Sequence, residues 1–357
     1  MNQLKTYGAD DRFFDEAARY PAMHLARVVS QYRDLYRLVT ENGEGLAELS
    51  GKLRHETTRL YDLPAVGDFV AADRETTEGG HAVIHHVLPR KSVFTRSAVG
   101  LTGEAQVVAA NIDIVFLCMS LNRDYNPSRL ERYLSVAWDS GARPVVVLTK
   151  SDLCAALPAV LAEVSALAPG ADVVTASRLD EASVDIIRGY LRPGVTGAFI
   201  GSSGVGKSTL INLLAGAELL ETSGVRQDGK GRHTTTRREL LLLPRGGLVI
   251  DTPGMRELGA ETVDLSSSFA DIDELAAQCR FRDCAHGAEP GCAVREAVAA
   301  GALEARRLEN YLKLQKEARY DGLNSRQIEA EKLAAMFGGK GEMKQLRDFV
   351  KHKNRLP

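Results

Sequence analysis

Three short motifs that commonly build one nucleotide-binding pocket occur in this chain in an unusual order. Residues 201–208 read G-S-S-G-V-G-K-S and fit the phosphate-binding pattern G-x-x-x-x-G-K-[ST]. A D-T-P-G segment at 251–254 follows this loop, whereas a T-K-S-D segment at 149–152 precedes it. Domains that contain all three usually place the T-K-S-D type of element last. One pocket can still form if the chain of such a domain has been cut and rejoined elsewhere, and this order therefore constrains the fold more than any single motif.

The loop at 201–208 lies in the context that phosphate binding requires. A strand is predicted at Thr196–Ile200 before it and a helix at Lys207–Ala215 after it. Glycines allow the backbone N–H groups to turn inward as a nest for anions, and the helix directs its positive end at the phosphates. We expect Lys207 to reach the β- and γ-phosphates and Ser208 to bind Mg²⁺. The predicted phosphate-binding residues are Gly201, Ser202, Ser203, Gly204, Val205, Gly206, Lys207, Ser208 and Thr209.

The T-K-S-D segment indicates which base is bound. It follows an apolar strand and resembles the N-K-x-D element, whose aspartate accepts hydrogen bonds from guanine N1–H and the exocyclic amine. Adenine has no such donor pair, so Asp152 is expected to select guanine. Lys150 is expected to lie along the base and brace the phosphate loop, while Thr149 offers one hydroxyl where an amide is commoner. The predicted base-binding residues, including a T-A element after the next strand, are Thr149, Lys150, Ser151, Asp152, Thr175 and Ala176.

The spacing of apolar residues predicts two kinds of architecture. From about residue 106 to 250, strands alternate with helices, which predicts an α/β sheet with ligands at the carboxyl ends of its strands. Before this region, turn signals separate about five short strands, and this pattern suits a small closed barrel such as an OB-fold. Periodicity alone also fits another small β-domain. The predicted barrel strands cover residues 25–31, 35–40, 45–49, 68–72 and 82–88.

Three cysteines and one histidine are concentrated within fourteen residues in the C-terminal part of the chain. Soft sulfur with one imidazole nitrogen suits tetrahedral Zn²⁺, and four protein ligands leave no open position for chemistry. A single structural ion would stabilise a segment too small for its own core. The alternative is unrelated cysteines in a region whose pattern is mainly helical, with a long amphipathic stretch at 296–315. The predicted zinc ligands are Cys279, Cys284, His286 and Cys292.

Together these features resemble the bacterial ribosome small-subunit-dependent GTPase A family, whose members are circularly permuted ribosome-biogenesis GTPases. The resemblance covers roughly residues 25–320 and includes L-P-A-V-G-D at 63–68 and Q-V-V-A-A-N at 106–111. It implies binding of GTP or GDP with Mg²⁺ and one zinc ion. It also implies hydrolysis of GTP to GDP and phosphate during late maturation of the small (30S) ribosomal subunit, with rRNA as a partner and stimulation by the subunit.

The same resemblance implies two switch segments. A Gly-rich stretch at 223–236 corresponds to switch I, which the γ-phosphate would order. Asp251 is expected to hold Mg²⁺ through water. Met255 stands where Ras-like GTPases use glutamine to orient water, a task that methionine cannot perform. A histidine in switch I is the internal candidate for that task, and its alternative role is contact with RNA or solvent. The predicted catalytic residues are His233, Thr234, Thr235 and Gly254.

These predictions give a circularly permuted P-loop GTPase domain flanked by a barrel and a helical metal-binding domain. The basic tail has six basic and two acidic residues after position 339, a net charge of +4, and is either solvated or a contact for RNA phosphates. The expected units are a polar, mobile leader at 1–24, an OB-fold-like RNA-binding barrel at 25–100, the GTPase domain at 101–265, the zinc-binding domain at 266–320 and the tail at 321–357.

The composition of the chain indicates in which cellular compartment we expect it to act. It contains no apolar run near the roughly 18 residues of a membrane span, and its first residues lack the apolar core of a secretory signal. We therefore expect a cytoplasmic monomer without a membrane partner. Two other functions stay open: a GTP-regulated RNA-binding factor with a non-ribosomal client, and a metabolic NTPase or kinase whose barrel binds a small substrate.

Overall fold

A computed structural model of the chain describes residues 2–32, 35–75, 80–97, 105–122, 125–219, 239–251, 268–287 and 289–319. Within these ranges the chain forms ten α-helices and thirteen β-strands. None of these described helices combines the length and the apolar character that crossing a bilayer requires. Eleven strands belong to one continuous sheet, in which a barrel and an α/β layer are joined by the pairing of Ser30 with Glu239.

The N-terminal segment is folded, so the expectation of a mobile leader at 1–24 is wrong. It contains helices α1 (Gln3–Thr6) and α2 (Asp11–Ala17). Leu4 and Phe13 are buried, and the ring of Phe13 stacks on Phe69 with centroids 3.9 Å apart. A few apolar side chains thus hold this segment on the rest of the protein, although the average composition of the segment is polar.

Five short strands close the predicted barrel. They are β1 (His24–Gln31), β2 (Tyr36–Val39), β3 (Glu44–Leu49), β4 (Phe69–Ala72) and β5 (Ala82–Val87), with helix α3 (Gly51–Glu56) and a 3-10 turn (Leu60–Asp62) between β3 and β4. The strand order β1-β2-β3-β5-β4 returns to β1, and β3 pairs with β5 in parallel. Val28, Leu38 and Ile84 are among the side chains of its interior. The expected OB-fold-like barrel is therefore confirmed.

A hairpin that the sequence pattern did not predict follows the barrel. It consists of β6 (Val93–Ser97) and β7 (Ala105–Ala110), which pair in an antiparallel register. The expected domain boundary at residue 100 lies between these two paired strands. The hairpin therefore belongs to neither side of that boundary alone.

The α/β region contains a six-stranded sheet with helices on both faces. Its strands are β8 (Ile114–Ser120), β9 (Arg143–Thr149), β10 (Asp172–Ala176), β11 (Thr196–Ile200), β12 (Glu239–Leu242) and β13 (Leu248–Asp251). Its helices are α4 (Pro127–Asp139), α5 (Leu157–Leu167), α6 (Glu181–Tyr190) and α7 (Lys207–Ala215). The spatial order is β10-β9-β8-β11-β13-β12, and only β12 runs antiparallel to its neighbour within this described layer. Every residue of β8 is buried, as expected for a parallel strand covered on both faces.

The C-terminal unit is helical, as expected, and the long amphipathic stretch at 296–315 is divided between two helices. The described helices are α8 (Ala270–Ala276), α9 (Ala293–Ala299) and α10 (Ala305–Arg319). Gly301 adopts φ +71°, and its N–H group donates to the Val298 carbonyl at 3.1 Å. The Ala302 N–H group donates back to Ala297 at 2.9 Å, so a left-handed glycine ends α9 and starts a turn. Amphipathic spacing continues through this turn, and only the glycine signals the break.

A buried arginine fixes the barrel to the α/β sheet. Arg27 on β1 is 1% exposed, and burial lowers its pKa to about 10. Its Nε donates to the Gly67 carbonyl at 3.2 Å, and its Nη2 donates to the Asn111 carbonyl at 3.3 Å and to Thr196 Oγ1 at 3.0 Å. A further hydrogen bond reaches the Tyr7 carbonyl. The four acceptors belong to the N-terminal segment, the barrel, the connection before β8 and the first residue of β11.

A second buried polar cluster fixes α10 to α4. Arg307 donates to both oxygens of the Asp271 carboxylate at 2.7 Å, to Glu131 Oε1 at 2.8 Å and to the Ser268 carbonyl at 2.8 Å. Glu131 on α4 is 1% exposed and also accepts a hydrogen bond from Asn310 at 2.6 Å. Burial raises the pKa of Glu131, and the hydrogen bonds from Arg307 and Asn310 oppose that shift. This cluster orients the helical unit on the α/β layer.

Replacing Arg307 with methionine is expected to lower the free energy of unfolding by about 3 kcal/mol, because the buried Glu131 would lose its hydrogen-bonded cation. Chemical denaturation of the full chain measures this loss. The matched control is Arg306→Met, since the Arg306 side chain is 35% exposed and lies 3.6 Å from the same carboxylate. The control should cost less than about 1 kcal/mol. Equal losses in the two variants would contradict the assignment of Arg307 as the central cation.

Candidate nucleotide and metal sites

The carboxyl ends of four parallel strands bring the predicted nucleotide motifs to one edge of the sheet. T-K-S-D begins at the last residue of β9, the T-A element ends β10, the phosphate loop follows β11, and Asp251 is the last residue of β13. These strands run parallel to one another through β8. Ligands of open α/β sheets bind outside this edge. The shuffled order along the chain therefore becomes one continuous set of motifs in space.

The phosphate loop has the backbone conformation of an anion nest. Gly206 caps α7 at φ +105°, and Gly204 adopts φ +73°. Residues with a Cβ rarely occupy this backbone region. Lys207 Nζ donates to the carbonyls of Gly201 at 2.6 Å and Ser202 at 2.8 Å, so its ammonium is held at the loop itself. The helix dipole and the loop N–H groups add positive potential there. Of the other predicted residues, Ser203 and Val205 lie in the same loop, and Ser208 and Thr209 lie in the first turn of α7.

The base motif and the phosphate loop are joined by two direct hydrogen bonds. Thr149 Oγ1 donates to the Val205 carbonyl at 2.6 Å, and the Thr149 residue is 6% exposed. Lys150 Nζ donates to the Gly204 carbonyl at 2.8 Å. Lys150 itself adopts φ 55°, a left-handed backbone conformation that residues other than glycine seldom adopt outside strained or functional positions. The threonine hydroxyl therefore supplies the bond to the loop that this position requires.

Replacing Thr149 with valine, which has nearly the same shape, is expected to weaken GDP binding about tenfold. The variant leaves the Val205 carbonyl without its donor and loosens the loop, a loss of about 1–2 kcal/mol. Isothermal titration of the purified chain with GDP gives the affinity. Thr149→Ser keeps the hydroxyl and should bind within about threefold of the unchanged chain. If valine binds GDP as well as serine does, the hydrogen bond does not support the loop.

The carboxylate of Asp152 is oriented by a residue that the motifs did not include. Asp152 is exposed in the 3-10 turn Ser151–Leu153 that follows Lys150. Its Oδ1 accepts a hydrogen bond of 2.7 Å from Ser177 Oγ. Ser177 directly follows the predicted Thr175 and Ala176 at the end of β10. The sequence signal that could have identified Ser177 is a hydroxyl directly after the T-A element. The ends of β9 and β10 are neighbours, which brings this hydroxyl close to the T-K-S-D segment.

Several predicted residues lie outside the part of the chain that the structure describes. They include the switch I stretch, the residue after D-T-P-G and the basic tail. The backbone of Asp251 ends β13, which brings this residue to the nucleotide edge. The residues whose roles stay predictions for this reason are His233, Thr234, Thr235, Gly254 and Met255.

The four predicted zinc ligands converge in the C-terminal unit. Their donor atoms all lie within 4.8 Å of one another. Cys279 Sγ is 3.7 Å from His286 Nδ1 and 3.9 Å from Cys292 Sγ, and Cys292 Sγ is 3.5 Å from His286 Nδ1. Zinc–sulfur bonds of about 2.3 Å in a tetrahedron place two sulfurs about 3.8 Å apart. The separations therefore fit a closed tetrahedral zinc site that also includes Cys284.

Local structure around the cluster favours metal binding. His286 adopts φ 55°, and its carbonyl accepts a hydrogen bond from Arg295 Nε at 3.0 Å, which fixes the turn that carries the imidazole. Desolvation acts to raise the pKa of the Cys279 thiol, but hydrogen bonds with the N–H groups of Val294 and Ala293 and with the neighbouring cysteines hold that pKa below its usual value. The pKa of Cys284 moves the other way, because the lowering effect of the His286 N–H group is outweighed by desolvation and by the Cys292 and Cys279 thiols, which raise it to about 11. Thiolates are the form that binds zinc.

The chain is similar to curated proteins over nearly its whole length. A family profile described as RsgA GTPase matches residues 87–261. The "Small ribosomal subunit biogenesis GTPase RsgA 2" of Lactiplantibacillus plantarum is 50% identical over 348 residues, which cover 97% of this chain and 98% of that protein. The "Small ribosomal subunit biogenesis GTPase RsgA 1" of Listeria innocua is 45% identical over 320 residues, covering 89% of this chain and 90% of that protein.

Solved structures with the same fold support the architecture. The crystal structure of YjeQ from Thermotoga maritima has a TM-score of 0.61 and 29% identity, and the match covers 83% of this chain and 99% of that one. YloQ, described as a circularly permuted GTPase, has a TM-score of 0.58 at 23% identity and covers 84% and 96% of the two chains. The expected fold, a circularly permuted GTPase layer with an OB-like barrel and a helical C-terminal unit, is therefore confirmed.

Proposed function

The chain belongs to the RsgA GTPase family and is a GTPase, and on that premise we propose that it is a GTP-hydrolysing switch in late maturation of the small (30S) ribosomal subunit. Relatives named as small ribosomal subunit biogenesis GTPases match 97% and 89% of the chain, which supports a role in that process. One structural observation carries the proposal. Thr149 and Lys150 are hydrogen-bonded to the phosphate loop, which makes the base reader and the phosphate binder one site.

In this proposal GTP lies along the carboxyl edge of the sheet. The loop N–H groups and Lys207 would bind the phosphates, and Asp152 would accept the guanine donors. Lys207 would exchange its contacts with the Gly201 and Ser202 carbonyls for phosphate oxygens. Mg²⁺, when bound, neutralises charge on the β- and γ-phosphates. We assign its direct protein ligand to Ser208 and its water-mediated partner to Asp251.

Hydrolysis to GDP and phosphate relies mainly on positioning and electrostatics in this class of reaction. Met255 lacks a polar group to orient the attacking water, so we expect slow turnover by the isolated chain. We assign the water-orienting role to His233, the switch contacts to Thr234 and Thr235, and a backbone N–H contact with the γ-phosphate to Gly254. The small subunit would then raise the rate by ordering these residues.

The remaining units would hold the switch on its partner. We propose that the barrel and the zinc-binding unit contact rRNA, that one zinc ion keeps the latter folded, and that a cytoplasmic monomer binds each subunit. The basic tail would add phosphate contacts whose strength falls with salt. The alternative client is a non-ribosomal RNA, because an OB-like barrel beside a GTPase can bind RNA of many kinds.

The decisive experiment measures phosphate release from GTP and from ATP, with and without purified small subunits. We expect negligible release from ATP, slow release from GTP, and an increase only when small subunits are added. Large subunits and an unrelated structured RNA of equal concentration serve as controls. Stimulation by the unrelated RNA alone would favour a non-ribosomal client, and phosphate found on an acceptor instead of in solution would indicate a kinase.

A further inference from the structure

An exposed aromatic ring lies between two of the predicted zinc ligands. Residues 280–283 read R-F-R-D, separate Cys279 from Cys284 and are all exposed. Phe281 in this 280–283 loop is 42% exposed, and no other Phe, Tyr or Trp residue in the described ranges is as exposed. A single exposed apolar residue is common on protein surfaces. An exposed ring between two arginines is a more specific arrangement, because it combines a stacking surface with positive charge.

We propose that the ring of Phe281 stacks on an unpaired base of single-stranded RNA, while Arg280 and Arg282 bind its phosphates. The inference rests on the proposed function, which assigns the zinc-binding unit to rRNA without stating the kind of RNA structure that the unit binds. It commits the 280–283 loop to unpaired nucleotides instead of a duplex.

The backbone of the 280–283 loop is held at both ends. The Arg280 N–H group donates to the Gly291 carbonyl at 3.0 Å, and the Cys284 N–H group donates to the Phe281 carbonyl at 3.3 Å. Gly291 adopts φ +73°, and a Cβ at that position would lie only 3.0 Å from the Arg280 Cβ. The Arg280 stem therefore packs on a glycine that leaves room for it. A ring on such a restrained turn loses little freedom when a base binds.

The charges of the 280–283 loop suit a phosphate chain. The Arg280 guanidinium lies over the Phe281 ring, 5.5 Å from its centroid. Neither Arg280 nor Arg282 forms an ion pair with an acidic residue in the part of the chain that the structure describes. Two basic residues and Asp283 give the loop a net charge of +1, while Glu289 accepts a backbone N–H group at 3.1 Å. Guanidinium groups stack on bases and also bind phosphate.

The ring distinguishes unpaired from paired RNA. In a duplex the faces of the bases are covered by their neighbours, and proteins contact mainly phosphates and 2′-hydroxyls. An aromatic ring needs a free base face, and such stacking contributes about 1–3 kcal/mol per base. Two arginines without the ring would bind the phosphates of either form. The ring therefore favours unpaired nucleotides, and adenine, with its larger face, should stack better than uracil.

The test measures binding of the full chain to labelled oligoadenylate and oligouridylate of about ten nucleotides and to a hairpin duplex, by fluorescence anisotropy. Phe281→Leu keeps an apolar side chain without the ring. It should weaken oligoadenylate binding about tenfold and hairpin binding less than about twofold, with an unchanged salt dependence. Arg282→Gln should weaken both and lower the salt slope by about 0.7. Ile186→Ala, at a 53% exposed position on α6, is the apolar control and should change neither affinity.

Phe281→Trp gives a direct signature of stacking. The chain contains one tryptophan, Trp138, whose emission in the unchanged protein supplies the background. Oligoadenylate should quench the added emission at the concentrations that raise the anisotropy. Metal analysis shows whether Phe281→Leu keeps the metal content of the unchanged chain, and the Phe281→Trp titration decides the question if that variant does not. Binding of oligoadenylate without quenching would overturn the inference.

The outcomes separate this inference from the proposed function. Equal effects of Phe281→Leu on oligoadenylate and on the hairpin would overturn the inference and leave rRNA binding intact. Weaker binding of small subunits with unchanged oligoadenylate binding would indicate a ribosomal protein at this surface, and would also overturn it. If the unchanged chain binds none of these RNAs, the proposed RNA contacts of the zinc-binding unit fail together with the inference. Stimulation of GTP hydrolysis by small subunits tests the switch separately.

Discussion

An asparagine at position 152 is expected to weaken GTP binding by at least about a hundredfold and to create binding of xanthosine triphosphate. The carboxylate accepts two donors from guanine, and the loss of two charge-assisted hydrogen bonds costs about 3–6 kcal/mol. Xanthine carries a carbonyl in place of the exocyclic amine, so the new amide N–H group would donate where the carboxylate accepted. Competition between GTP and xanthosine triphosphate for a fluorescent nucleotide measures both changes.

A control for the lost charge is available on α6. Asp185→Asn removes the same charge from an exposed side chain that is paired with Arg188 on the same helix. GTP affinity in this variant should stay within about twofold, as surface ion pairs contribute little. Retention of full GTP affinity in Asp152→Asn would show that another residue reads the base.

Replacing Cys292 with serine is expected to abolish zinc retention and to unfold the segment around α9. Binding of a structural zinc contributes about 10 kcal/mol or more to folding in small metal-binding units. Cys292 is buried, is the N-cap residue directly before α9 and lies close to two other donors, and its core cluster includes Val294 and Leu303. Metal analysis of the purified chain and amide hydrogen exchange along α9 report the two effects separately.

The matched control is Cys154→Ser. Cys154 is partly buried near the base motif and does not belong to the four-donor cluster. This variant should retain one zinc ion per chain and show unchanged exchange in α9. A Cys292→Ser protein with one zinc ion and a protected α9 would show that the remaining three donors suffice, and the closed four-ligand site would then be incorrect.

Local patterns in the sequence predicted the nucleotide edge well. The strand Thr196–Ile200 and the helix Lys207–Ala215 have the predicted bounds, because an apolar run, a glycine-rich turn and a helical repeat follow one another without conflict. The fold class also followed, since the order of the motifs excluded an unpermuted GTPase layer. Both inferences used signals that lie within a few residues of each other.

The contacts that needed distant partners were not predictable in this way. Glu131 and Arg307 are 176 positions apart, and each is an ordinary helix-surface residue in its own segment. Ser177 gains its role only because β9 and β10 are adjacent. The N-terminal helices illustrate a third limit, since Phe13 finds its stacking partner in Phe69 of the barrel and not in its own polar neighbourhood.

The buried guanidinium of Arg27 has a consequence for how the barrel is connected to the phosphate loop. It ties β1 to Thr196, and the strand that starts there ends one residue before Gly201. Any surface that the barrel binds would therefore be held through Arg27 at a fixed distance from the phosphate loop. A partner bound in the wrong position would then shift the loop through β11.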